Sequence, residues 1–197
     1  MKKITIIADG SIIAIANAHK YNQTLIHQEN WTWKQLNEFI LLTNADHLIT
    51  FTTAWEDEWT LEFLINEQSN DAYFRKFEKS IHVTDGSLYL INWTDLTSSL
   101  QFKNTNIPDA VNKELKIDVG NGFYNVTVKQ LFDHEDDNYS PANKTSYIVE
   151  MISEAQNPGI KADTIIWTQD FPNDNTLFLS GERDEFDDLL DKMIKER

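Results

Sequence analysis

Short apolar runs separated by turns recur along this 197-residue chain, and this pattern restricts its fold more than any other sequence feature. An Asp-Gly pair at residues 9–10 separates apolar residues 4–8 from residues 11–16. A second Asp-Gly pair, Asp85-Gly86, separates two further apolar runs. Such a pair between apolar runs is typical of a β-hairpin, because Asp and Gly both tolerate the positive φ that tight hairpin turns need. The sequence therefore predicts two hairpins.

Two further hairpins are predicted from alternating segments. Residues 47–54 and 59–65 flank an acidic turn, and residues 115–119 and 123–132 flank Gly120-Asn121-Gly122. Alternation of apolar and polar residues is typical of antiparallel strands with one buried face. Residues 73–79 fit either a strand or a helix. Additional strands are predicted at 146–152, 164–168 and 176–180.

Two segments have helical periodicity instead. Apolar side chains recur at helical spacing in residues 31–43, and a second apolar stripe predicts an amphipathic C-terminal helix over about 182–196. Acidic residues crowd the start of the second segment and basic residues its end, which suits the helix dipole. We therefore expect a mainly β, α+β fold. It would be an antiparallel β-sandwich or barrel-like sheet with one helix in the N-terminal half and a C-terminal amphipathic helix.

The length is typical of one domain, and 41% apolar with 12% aromatic residues is enough for a substantial core. We expect a single β-rich domain over 1–197, with an N-terminal hairpin-helix extension over about 1–45. The chain has no cysteine, which excludes disulfides, thiolate metal sites and cysteine nucleophiles. No export signal or membrane span is apparent, so the expected location is cytoplasmic.

The charge balance is strongly acidic. Thirty-two Asp and Glu residues face 17 Lys and Arg residues, which gives a formal net charge of −15. Such a field repels nucleic acid and anionic membranes, and it steers a basic protein partner into contact. The simpler alternative is that the acidity only keeps the protein soluble, as it does in many bacterial proteins.

Motifs for catalysis are not found in the sequence. The five histidines lie far apart without zinc-ligand spacing, and neither a Gly-x-Ser-x-Gly nucleophile motif nor a phosphate-binding loop occurs. We therefore predict no catalytic residues, no metal site and no cofactor, and by elimination a protein that is not an enzyme. An enzyme with an unrecognised carboxylate site remains as a third hypothesis.

Two acidic segments are the candidate partner-binding sites. In the first, two tryptophans bracket three carboxylates, an arrangement that can bind Arg or Lys through cation–π contacts and ion pairs together. The alternatives are that both rings fill one end of the core, and that the second segment is a solvated loop or a cation site. The candidate residues are Trp55, Glu56, Asp57, Glu58 and Trp59, then Asp133, Glu135, Asp136 and Asp137.

Part of the chain resembles a known family. From about Asp46 to Asp133, residues 77–83 lead into 85–90, followed by Ile117-Asp118-Val119 and then by 122–128. This layout is similar to that of the competence protein J family, the DNA-entry nuclease inhibitors. The resemblance implies a β-sandwich that neutralises a nuclease. The chain departs from that family by its N-terminal hairpin and helix and by its acidic C-terminal helix.

The first functional hypothesis is thus an acidic protein-binding module, an inhibitor or immunity protein that occupies the basic face of a nuclease or toxin. The alternative is a β-domain that binds a small molecule or a carbohydrate in an aromatic-lined pocket. A flat acidic face would favour the first hypothesis and a deep aromatic-walled cavity the second.

Overall fold

The structure is a computed structural model that describes residues 1–26, 35–53, 55–110, 112–136 and 138–168. Within these residues the chain forms mostly strands, with three α-helices, so the predicted α+β class is confirmed. The elements are β1 (Lys2–Ile7), β2 (Ile12–Ala16), α1 (Ala18–Thr24), α2 (Gln35–Asn44), β3 (Leu48–Thr52), β4 (Glu58–Ile65), β5 (Arg75–Val83), β6 (Ser87–Asn92), α3 (Trp93–Gln101), β7 (Lys116–Asp118), β8 (Gly122–Gln130) and β9 (Thr145–Glu154).

The strands form two sheets. One has five strands in the order β1-β4-β9-β8-β5, and the other has four in the order β3-β2-β6-β7. Every neighbouring pair is antiparallel except β4 and β9, which run parallel. Within the described part of the chain neither sheet closes into a barrel. The sandwich is therefore the correct member of the predicted pair of architectures.

The main core lies between the two sheets. Ile4 and Ile6 of β1 face inward from one sheet, while Ile13 and Ile15 of β2 face them from the other. These side chains alternate with exposed ones along β1, as a half-buried strand requires. Each fully buried apolar side chain contributes roughly 1.5–3 kcal/mol to folding. Burial of both facing sets therefore holds the sheets together.

A second, smaller core lies between the four-stranded sheet and the helices. Tyr21 of α1, Phe39 of α2 and Leu96 of α3 are fully buried against it. Ala14 and Ala16 on this face of β2 are small, so the helices can approach the sheet closely. The molecule is thus layered as sheet, sheet and helices.

Helices α1 and α3 were not predicted from the sequence. Each begins after an asparagine whose side-chain oxygen caps the helix. Asn17 accepts from the backbone N–H of Lys20 at 3.0 Å, and Asn92 accepts from that of Asp95 at 2.9 Å. Asparagine is among the preferred N-cap residues, so this signal was present in the sequence.

All four predicted hairpins are wrong in the same way. In each case the turn exists, but the strands on its two sides belong to different sheets: β1 and β2, β3 and β4, β5 and β6, β7 and β8. A turn sequence specifies that the chain reverses. It does not specify whether the returning strand pairs beside its predecessor or crosses to the facing sheet.

The turn between β1 and β2 shows how the chain passes from one sheet to the other. Residues 9–11 form a short 3-10 turn in which Gly10 has φ 58°. A Cβ atom on Gly10 would lie 2.6 Å from the Trp93 side chain, so glycine is required there both for its φ and for space. Ala8 and Gly10 donate their backbone N–H groups to Asp57 O and Glu56 Oε1 at 2.9 and 2.8 Å.

The structure confirms some of the other strands and helices predicted from the sequence and not others. The ambiguous segment 73–79 contains the start of strand β5, residues 146–152 lie within β9, and the described part of the predicted 31–43 helix is α2. Residues 164–168 form no strand, only an isolated bridge between Ile166 and Phe51. The predicted 176–180 strand and the C-terminal helix lie outside the described residues. Of the helices that the structure describes, none has the length and apolar character needed to cross a bilayer.

Candidate protein-binding surface

The two acidic segments predicted from the sequence meet at one end of the five-stranded sheet. Because β4 and β9 are parallel, both begin at that end. Strand β8 is antiparallel to β9, so it finishes there. The loop before β4 carries Glu56 and Asp57, and the loop after β8 carries residues 133–136. Strand order alone therefore brings together two segments that are far apart in sequence.

A cluster of aromatic rings fills the space beneath the two loops. The Trp59 ring stacks on Phe132 at 5.0 Å between centroids, and Phe132 stacks on Tyr139 at 4.2 Å. Trp55 packs on Trp59 at 5.2 Å and on Phe132 at 5.6 Å. Tyr147 closes the cluster, with its ring 5.6 Å from that of Trp59. Rings from both loops therefore share one rigid support.

The first loop holds its carboxylates outward. Glu56, Asp57 and Glu58 are exposed, while Trp55 is half-buried. Asp57 accepts hydrogen bonds from the backbone N–H of Glu58 at 2.7 Å and from the Trp55 indole N–H at 3.3 Å. Together with the bond from Gly10 to Glu56, these contacts fix the direction of the loop.

Local turns shape the second loop. Asp133 accepts from the backbone N–H of Glu135 at 2.9 Å, and Asp136 accepts from that of Asn138 at 3.0 Å. Asp133, Glu135 and Asp136 are exposed, and Asp137 lies outside the described residues. The His134 ring packs edge-on against Phe74 at 5.2 Å. The loop therefore presents three carboxylates to solvent beside an aromatic side chain.

Two exposed aromatic residues at this end were missed by the sequence reasoning. Tyr73 and Phe74 are 45% and 46% exposed, and they lie where the connection from β4 enters β5. Phe74 donates its backbone N–H to Gln130 O at 2.8 Å, so its position is fixed by β8. Exposed aromatic residues beside charged groups are typical of interface hot spots. We call residues 55–58, 133–136, Tyr73 and Phe74 the acidic-aromatic surface.

The candidate residues have different places in this surface. Trp59 is fully buried, and its indole N–H donates to Trp55 O at 3.3 Å. It supports the first loop from below, whereas Trp55 is partly accessible. The alternative that the tryptophan rings fill one end of the core thus describes the position of Trp59.

A cavity of about 570 Å³ adjoins the first loop. We call it the acidic cavity, and its lining includes Ile6, Glu58, Asp95, Asp109, Asn112 and Leu115. Asn112 donates its side-chain N–H to Asp95 and its backbone N–H to Asp109, the latter at 2.7 Å. The described residues that line this cavity include no aromatic ring. A second cavity of about 340 Å³ has Phe77 and Trp167 in its wall.

The carboxyl group of Asp95 is electrostatically unfavourable when ionised. Burial, and after it the carboxylates of Asp109 and Asp9, raise its pKa to about 6, although the hydrogen bond from Asn112 partly offsets their effect. A raised pKa in the folded state means that ionisation costs stability, because the native carboxyl holds its proton more tightly than the unfolded one.

Asp95→Asn is therefore expected to gain stability relative to the wild type as pH rises from 4.5 to 7.5. The wild-type penalty develops between the ordinary pKa near 3.8 and the raised value of about 6. The amide still accepts the hydrogen bond from Asn112. Partial solvent screening limits the gain to about 1 kcal/mol. Urea unfolding of both proteins at the two pH values measures it, and a pH-independent difference would contradict the unfavourable ionisation.

Among the residues that the structure describes, no group of three or more His, Asp or Glu side chains is placed to hold a metal ion. The carboxylates at this end are instead arranged along a surface and around a cavity.

Comparison with solved structures gives two similar chains. One is the crystal structure of ComJ, the inhibitor of the DNA-degrading activity of NucA, from Bacillus subtilis. It is 17% identical, with a TM-score of 0.47, over 78% of this chain and 96% of ComJ. The other is titled crocagin biosynthetic gene J, at 12% identity and a TM-score of 0.49, over 77% of this chain and 96% of that chain.

The structural neighbours thus include the nuclease inhibitor family that the sequence resembles. No family model matches the sequence, and no curated protein matches it. The surface chemistry of this chain itself is therefore the basis for its functional assignment.

Proposed function

We propose that this protein is an acidic protein-binding module that neutralises a basic nuclease or toxin, as an inhibitor or immunity protein does. The acidic-aromatic surface is the contact face. The observation that carries the proposal is the convergence of two exposed acidic loops on one aromatic cluster. A basic nucleic-acid-binding face is the complementary surface for such a site.

The mixture of acids and rings supports a protein partner more than a small ligand. Half-buried Trp55 and exposed Phe74 offer apolar area at low entropic cost, and the surrounding carboxylates supply charge complementarity. A net charge of −15 adds long-range attraction for a basic partner. The described lining of the acidic cavity has carboxylates and no rings, which does not favour carbohydrate stacking there.

The binding test begins with capture. The full-length chain is immobilised and offered basic proteins that are encoded near its gene, at low and at high salt. A captured nuclease or toxin is then assayed for its activity with and without the chain. Loss of that activity at stoichiometric ratio supports the proposal, and capture without any loss of activity contradicts an inhibitory role.

Neutralising the first loop is expected to slow association. The triple variant Glu56→Gln, Asp57→Asn, Glu58→Gln removes three charges and nearly preserves side-chain size. Each amide keeps one acceptor oxygen, so Asp57→Asn retains only one of the two hydrogen bonds that Asp57 accepts from Glu58 and Trp55. Its association rate constant with the captured partner should fall about tenfold at low salt, because rim charges act mainly on the encounter step. The difference should shrink at high salt, since the Debye length falls from about 30 Å at 0.01 M to about 3 Å at 1 M. Surface plasmon resonance measures both.

A control with equal charge change lies at the opposite end of the sheet. Glu67 and Asp85 follow the C-terminal ends of β4 and β5, Glu154 is the last residue of β9, and all three are exposed. Their triple amide variant should associate almost as fast as the wild type. An equal slowing in both variants would mean that only the net charge matters, and it would remove the first loop from the contact face.

A further inference from the structure

The two lateral sides of the sandwich differ, because one is covered by a segment of the chain and the other is open. On the side of β3 and β5, residues 157–168 run across the gap as a strap. The backbone N–H of Thr52 donates to Ile166 O at 3.0 Å, and Ala162 donates to the Asn44 side chain at 2.7 Å. Lys79 reaches across to donate to Lys161 O. This side of the core is therefore closed by the chain itself.

On the side of β1 and β6 the acidic cavity remains open. Ile6 and Leu115 contribute apolar side chains to its wall, and the acidic residues Glu58 of β4, Asp95 of α3 and Asp109 of the connection after α3 also line it. Among the residues that the structure describes, no lysine or arginine lines it. None of the ion pairs among the described residues uses these three acids. The cavity therefore combines a partly buried negative wall with ligand-sized space and no internal cation.

We propose that the acidic cavity binds the guanidinium group of an arginine side chain presented by the basic partner, an inference that rests on the proposed function. Glu58 belongs to both the acidic-aromatic surface and the cavity, so one partner can contact the two together. The cavity serves as the anchor point of the interface, and the first loop adjoins it through Glu58.

The chemistry of the wall favours guanidinium over other cations. A guanidinium carries five N–H donors in a planar fork, and it matches several carboxylate and amide oxygens at once. It is more weakly hydrated than an ammonium group, and its methylene stem suits the apolar side chains of Ile6 and Leu115. A hard metal ion would need a closer cage of oxygens than the described acids form.

Protonation should control this binding. Burial, with the nearby carboxylates of Asp109 and Asp9, raises the pKa of Asp95 to about 6. Glu58 of β4 also lines the cavity. Because a bound cation stabilises the ionised form, affinity should fall as pH drops below about 6.

The test uses N-acetyl-arginine amide as the probe and the full-length protein labelled with ¹⁵N. At pH 7.5 we expect saturable shifts of the Asn112 and Leu115 amide signals. The apparent dissociation constant should be about fivefold larger in Asp95→Asn and about fivefold larger for the wild type at pH 5.0. Glu58→Gln provides a second cavity variant. Asp85→Asn, with the same charge change at the opposite end, should bind as the wild type does.

Several outcomes would overturn the inference. These are no saturable shift at the cavity amides, equal weakening in Asp85→Asn, equal binding of N-acetyl-lysine amide, or calcium producing the same saturable shifts. The probe replaces the partner, so the two proposals can fail separately. Probe binding without inhibition of any partner would contradict only the proposed function. Partner inhibition without probe binding would contradict only the assignment of the cavity.

Discussion

Replacing Trp59 with alanine is expected to lower the free energy of unfolding by about 3–5 kcal/mol, the usual cost of deleting a buried aromatic side chain. The Trp59 ring is fully buried and contacts Trp55, Phe132 and Tyr147. Its removal leaves a cavity beneath the acidic-aromatic surface and also removes the indole N–H bond to Trp55 O. Partner binding should weaken in the same variant, because the first loop loses its support. Urea denaturation followed by tyrosine fluorescence or circular dichroism measures the stability change.

Two further variants test whether the loss of stability comes from the buried position of Trp59. Trp59→Phe keeps an aromatic ring in the cluster and loses volume and one hydrogen bond, so it should cost less than half as much. Phe102→Ala removes a ring that is 59% exposed, and it should stay within about 0.5 kcal/mol of the wild type. A loss below about 1 kcal/mol for Trp59→Ala would contradict the buried position of that ring.

Breaking the buried ion pair between Lys129 and Glu150 is expected to cost a similar amount. The Lys129 ammonium lies 2.6 Å from Glu150 Oε1, and the side chains are only 10% and 4% exposed. Both groups also bind Ser69, through Lys129 Nζ to Ser69 O at 2.9 Å and Ser69 N to Glu150 Oε1 at 2.7 Å. Lys129→Met leaves the carboxylate buried without its cation, which should destabilise the fold by about 3–5 kcal/mol.

The double variant Lys129→Met, Glu150→Leu distinguishes the net stability of the ion pair from the cost of leaving one charge buried without its partner. It should recover much of the loss, since a buried ion pair and an apolar pair of similar volume are often close in stability. Lys76→Met is the matched control. Lys76 pairs with Glu78 at 3.2 Å, but the side chains are 42% and 44% exposed, so its loss should destabilise the fold far less than the loss of Lys129. Equal effects of the two lysine variants would contradict the burial of Lys129.

This ion pair also has a consequence for the binding surface. Ser69 lies in the connection that crosses the outer face of the five-stranded sheet, and the same connection ends in Tyr73 and Phe74. The Lys129 ammonium lies 5.6 Å from the Tyr73 ring centroid. Loss of the pair should therefore loosen the exposed aromatic residues as well as lower global stability.

The sequence by itself determined the class of the fold and the position of most strands. Alternating apolar residues predicted β8, and its inward-facing Tyr124, Val126 and Val128 are buried in the main core. It also determined that Glu56, Asp57 and Glu58 are exposed, because charged residues at a chain reversal avoid the cost of desolvation. Both kinds of prediction depend only on neighbouring residues.

The tertiary structure alone decided which strands pair. A turn such as Asp85-Gly86 reverses the chain, and the choice between lateral pairing and crossing to the facing sheet depends on burial across the whole sandwich. The meeting of the two acidic loops follows from the parallel pairing of β4 with β9. The acidic cavity follows from the packing of β4, α3 and the connection after α3, which bring Glu58, Asp95 and Asp109 to its lining. Such contacts join residues distant in sequence, so no local pattern could predict them.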